Sequence, residues 1–141
     1  MCDRQGPAVK KNPVARIYKN RWFDKFAAKE GIGDTTLCAA VGRVEQGLID
    51  ADLGSGVLKQ RVAREGAGKS GGYRTLIFFR RDERAIFVFA FAKNDRANLD
   101  AEEVATFKKA AKIVLALSQS QIDVEVEAGR LTEVKCGDEN L

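Results

Sequence analysis

Apolar and charged positions alternate in VARIYK, Val14 to Lys19, and predict a short strand. The period then lengthens. In RWFDKFAAKEG, Trp22, Phe23, Phe26 and Ala27 share one side of a helix that Asn20 caps and Gly31 stops. A second helix, capped by Asp34, places Leu37, Ala40, Val41, Val44 and Leu48 on one stripe facing a sheet. A glycine loop at Gly54 and Gly56 leads into a strand over 57–63. Two strongly apolar strands follow, 73–80 and 85–91, joined by RDER, a connection of hairpin length. Phe78, Phe79, Phe87, Phe89 and Phe91 belong in the core on alternating faces. Asp100 and Glu103 form a capping box that opens a helix with Val104, Phe107, Ala111, Val114 and Leu115 on one face.

This order predicts an α+β domain: a small antiparallel sheet with two N-terminal helices and a C-terminal helix packed against it. With the helices on one face, the other face or its rim is left to bind something. A flexible tail over 1–13, the domain over 14–117, and an extension over 118–141, partly helical and then frayed, complete the expected division.

Composition narrows the chemistry. A chain of 141 residues, 45% hydrophobic and 31% charged, suits one domain with one core. It has no apolar run of about 18 residues and no hydrophobic leader, so a soluble, cytoplasmic protein is expected. Cys2, Cys38 and Cys136 are odd in number and widely spaced, and are expected as reduced, structurally minor thiols. Histidine is absent. Familiar zinc patterns and His-activated nucleophiles are thereby excluded, no metal or cofactor is expected, and any catalysis falls to Lys, Arg, Tyr, Asp or Glu.

Charge is unevenly placed. Residues 57–96 hold ten Lys and Arg against four acids, a net +6, whereas residues 97–141 hold five against nine, a net −4. A polyanion-binding surface on the central part is one reading of this, and a solvated sheet edge guarded by cations is the other. Within that stretch, Lys59 and Arg61 lie two apart on a strand and so share a face. Arg64, Lys69, Tyr73 and Arg74 surround the turn GKSGGYR, and Lys93 and Asn94 end the last strand at the rim. Gly71 and Gly72 are expected to permit a bend with positive φ. Tyr73 is either a core-edge aromatic or a surface on which a base stacks, while Arg80, Arg81 and Arg84 read as a solvated hairpin tip. Lys69 and Ser70 lack the pattern of a nucleotide-binding P-loop.

The stretch LKQRVAREGAGKSGGYRTLIFFRRDERAIFVFAFAKNDRANL resembles the core of the RelE/ParE superfamily of type II toxins, near its HigB-like and phage Gp49-like branch. The likeness covers residues 14–117 and rests on the basic strand, the SGGYR turn into a strand, and the strand end with Lys93, Asn94 and Arg96. It implies a RelE-like fold and a ribosome-dependent endoribonuclease that cuts mRNA, with the ribosome, mRNA and a cognate antitoxin of helix-turn-helix type as partners. Lys59, Arg61 and Arg74 would be catalytic: Arg74 at the phosphorane oxygens, Lys59 and Arg61 at substrate phosphates, and Lys59 as a candidate carrier of protons. Arg64, Lys69, Tyr73, Lys93 and Asn94 would bind substrate. The well-known ribosome-dependent members carry a C-terminal catalytic tyrosine, whereas here no tyrosine follows Tyr73. A non-catalytic, ParE-like gyrase inhibitor and an RNA-binding module without cleavage are the alternatives.

Overall fold

Strand β1 (Arg16–Asn20) lies inside a six-stranded sheet, between β5 (Arg84–Ala92) and β6 (Leu131–Val134), and buries Ile17 on one face and Tyr18 on the other. The computed structural model describes residues 13–63, 72–92 and 98–137. The Asn20 side chain ends β1 and starts α1 (Arg21–Glu30), its Oδ1 accepting from the Phe23 amide at 2.7 Å. Gly31, at φ 73°, closes that helix in the left-handed conformation. Helix α2 (Asp34–Glu45) is capped by Gly33 and not by the Asp34 side chain, which instead accepts from the Lys135 amide at 2.9 Å. Leu37, Ala40, Val41 and Val44 face the sheet as expected; Leu48 lies beyond the helix and is exposed.

The glycine loop is partly a strand. β2 (Ala51–Gly54) folds back on β3 (Val57–Val62) through Ser55 and Gly56, both at positive φ, as a two-residue hairpin requires. β4 (Tyr73–Arg80) pairs antiparallel with β3 and with β5. The sheet order is β2-β3-β4-β5-β1-β6, with every pairing antiparallel except β1 with β5.

Helices cover both faces of this sheet, not one. On the first face α1 and α2 bury Phe23, Ala27, Leu37 and Val41 against Ile17, Leu58, Val62, Tyr73, Ile77 and Phe87. On the second, α3 (Ala101–Leu115) and α4 (Gln119–Glu127) pack through Phe107, Ala111, Val114, Leu115 and Ile122 onto Tyr18, Val57, Leu76, Phe78 and Ile86. The five strand phenylalanines divide between the faces, Phe79 and Phe87 on the first and Phe78, Phe89 and Phe91 on the second. The capping box of α3 is present, with Asp100 accepting from the Glu103 amide and Glu103 from the Asp100 amide.

Residues after 117 add to the same core. Ile122 of α4 and Leu131 of β6 are buried, and β6 pairs with β1 along its whole length. The Tyr18 hydroxyl accepts from Gln119, and Arg16 is bonded to Glu133 across the strands, an interaction that raises the arginine's pKa further. The return of β6 also changes the expected state of two thiols: Cys38 and Cys136, with Cα atoms 5.7 Å apart, form a disulfide. The reading as reduced thiols missed this because it left the C-terminal segment frayed, away from α2.

Arg84 corrects another expectation. It is 3% exposed, not solvated at a hairpin tip, and its guanidinium donates to the carbonyls of Leu117 at 2.7 Å and Val114 at 3.5 Å. Arg80 donates to the Leu115 carbonyl at 2.8 Å. Two cations therefore meet the unsatisfied carbonyls at the C-terminal end of α3, where the helix dipole is negative. Arg80 and Arg81 keep the exposed positions predicted for them, and Arg81 makes no side-chain bond among the described residues.

Candidate functional site

The rows of side chains that run across the second face change character along the strands. Val57, Phe78 and Ile86 form an apolar row beneath α3. Lys59, Leu76 and Phe89 form the next, and Arg61, Arg74 and Phe91 the one after it. Phe107 of α3 reaches both Phe78 and Phe89, with ring centroids 6.4 and 5.6 Å apart, so the helix roofs the first two rows. Its N-terminal approach is tied down at Lys59, whose ammonium donates to Asn98 Oδ1 at 3.1 Å. That oxygen also accepts from the Leu99 amide at 2.9 Å.

Arg61 and Arg74 stand directly opposite each other in register, which puts their Cβ atoms about 4.5–5.5 Å apart. Like charges so placed destabilise a sheet. Among the described residues no ion pair relieves Lys59, Arg61 or Arg74. The remaining fixed contact is to the backbone: beyond the end of β2, the Arg61 carbonyl on the open edge of β3 accepts from Arg43 at 3.0 Å. A half-buried and an exposed guanidinium, with an ammonium one row away, make a place where an anion with several oxygens would be held by planar donors.

Gly72 sets the approach of β4 to this row. A Cβ on it would lie 2.8 Å from the Val62 carbonyl oxygen, so close backbone contact, and not a positive φ, calls for glycine there.

Of the residues singled out in the sequence, Lys59, Arg61 and Arg74 share a face. Tyr73 does not join them. Adjacent strand residues point to opposite faces, and Tyr73 is 3% exposed on the α1/α2 side, edge-on to Phe26, with its hydroxyl bonded to the Glu30 carboxylate. It is a core-edge aromatic and presents no ring for a base. Arg64, Lys69, Lys93 and Asn94 lie outside the described residues, as does Gly71. Asn98 is a neighbour of the site that the sequence reading missed; its position shortly before the capping box, where the chain turns back over the sheet, was the available signal.

Among the described residues no helix is long and apolar enough to cross a membrane. No curated protein matches the chain. The model of the RelE toxin of the RelE/RelB toxin–antitoxin system matches residues 15–134, and the chain belongs to that family.

Proposed function

We propose that this toxin is a ribosome-dependent endoribonuclease of the HigB-like branch that cuts mRNA and so stops translation. The observation that carries the reading is the opposed pair Arg61 and Arg74 with Lys59 on the same face. The arrangement costs stability, and an RNA phosphate would offset that cost. The 2′-OH of the RNA attacks the adjacent phosphate, the P–O bond to the 5′ oxygen breaks, and a 2′,3′-cyclic phosphate and a 5′-OH result. The chain then has to align the attack, carry a proton from the 2′-OH to the leaving oxygen, and neutralise the charge that builds on the phosphorane. In this reading Arg74 meets the phosphorane oxygens, Arg61 and Lys59 hold the flanking phosphate, and Lys59 carries the proton. Arg64, Lys69, Lys93 and Asn94 extend the contact to substrate.

Family membership implies an antitoxin partner. In the proposed reading it is of helix-turn-helix type and acts in the cytoplasm, and its co-expression restores growth. Short induction of the toxin alone is expected to arrest growth and to produce new mRNA 5′ ends within translated frames. These ends should vanish when initiation is blocked. Normal growth at confirmed soluble expression would sink the toxin activity; arrest with broken DNA and intact mRNA would replace it with gyrase inhibition, and arrest with both intact would leave binding without cleavage.

A further inference from the structure

Helix α1 carries Arg21, Lys25 and Lys29 at four-residue intervals, all exposed and aligned along one side. Its two acids are engaged elsewhere. Asp24 pairs with Lys19 at 3.0 Å, and Glu30 accepts from the Tyr73 hydroxyl. The outward charge of the helix is therefore positive. In its first turn stands Trp22, the chain's one tryptophan, 45% exposed.

Two rings hold that indole in place. Phe26 stacks under it at 5.3 Å and 10°, and Phe89 leans against it at 4.8 Å and 31°. Phe89 belongs to the face of the arginine pair: it opposes Leu76 and neighbours Phe91, which opposes Arg74. Trp22 reaches that face because β1 ends at Asn20, whose amide bonds the Val88 carbonyl, so that the edge of β5 beyond is met by the start of α1. A rigid, half-exposed aromatic surface thus lies between a row of cations and the paired arginines.

We propose that Trp22 is a stacking platform for one unpaired base of single-stranded RNA, whose backbone passes from the arginine pair to Arg21 and Lys25. Interleaved cations and an aromatic plane are what a single strand needs: charge for its phosphates and a π-surface for an unstacked base. The proposal rests on the RNA reading above and fills the role that Tyr73, turned into the core, does not. Phe26 and Phe89 orient the ring before the base arrives, so little side-chain entropy is lost on binding.

A single tryptophan makes the test direct. Titration of the full chain with a short oligoadenylate should quench Trp22 emission saturably. A strand of equal length and charge lacking bases should bind roughly 5- to 150-fold more weakly, the range that loss of one base–aromatic stack carries, and leave the emission unchanged. Trp22→Leu, which keeps apolar bulk, should lose that same factor, and Trp22→Phe should recover most of it. Oligoadenylate binding without quenching overturns the platform and leaves the arginine site standing, as does mRNA cutting in cells by Trp22→Leu equal to that of the parent. Absence of both binding and cutting overturns the RNA reading together with it. Quenching by the antitoxin and not by RNA overturns it in favour of a protein-binding surface.

Discussion

Arg74→Ala is expected to lower mRNA cleavage by about 10²–10³, the usual loss when one preorganised donor to a developing oxyanion is removed. The same substitution is expected to leave stability unchanged or raise it by roughly 0.2–1 kcal/mol, because it removes one of two like charges held in register. Opposite signs for activity and stability are the signature of a residue kept for its chemistry. Arg81→Ala on the exposed turn changes the net charge equally and should alter stability by less than about 0.5 kcal/mol and cleavage hardly at all. Toxicity after induction and urea unfolding of each variant provide the readouts. Equal loss of toxicity in both variants, with both folded, would mean that overall charge and not this pair is responsible.

A second large effect falls on the fold. Arg84→Ala should lower stability by about 3 kcal/mol, since it withdraws a charged donor from two helix-end carbonyls in a place closed to water. For a chain of this size that corresponds to roughly 10 °C in the unfolding midpoint. Arg84→Lys should recover part of the loss, because an ammonium keeps the charge near the end of α3 without the guanidinium fork. Thermal unfolding followed by circular dichroism decides the matter. A midpoint within a degree or two of the parent would show that the carbonyls of Val114 and Leu117 find other donors without difficulty.

The parts of the fold that were legible from the sequence are those where local pattern and tertiary demand agree. Phe23 and Ala27 fall at helical spacing, Asp100 and Glu103 bond each other's backbone, and the aromatic strands 73–80 and 85–91 are too apolar to lie anywhere but inside. The strands ADLG and LTEV were not legible as sheet members. Each is four residues long and part polar, and each becomes a strand only because β3 or β1 offers it an unpaired edge. Arg84 misled for a related reason. A charged residue beside a hairpin reads as solvated, and only the distant end of α3 makes its burial favourable.

Parity explains which of the singled-out residues share a face and which does not. Lys59 and Arg61 are two apart, and Arg74 falls opposite Arg61, so one face collects all three. Tyr73 is one residue from Arg74 and was bound for the other face by the same rule. Trp22 escaped notice as anything but core because it sits on the apolar side of its helix. The signal for it lay in Arg21 and Lys25, two cations that flank it in the sequence.

The bond between Cys38 and Cys136 has a topological result, since it spans a sequence separation of 98 residues. It closes a covalent ring containing β2 to β6, α3 and α4, with Lys59, Arg61 and Arg74 inside it, while β1 and α1 remain on an open arm. A protease that cuts once within the ring leaves a single molecule of unchanged mass plus one water. The severed ends stay tethered at high effective concentration and are free to re-pair. A cut ahead of Cys38 instead leaves the arm bearing Trp22 held by non-covalent contacts alone. Destruction of this toxin by proteolysis therefore has two unequal routes: release of the arm in one step, or opening of the ring, which yields separate pieces only after two cuts or after reduction.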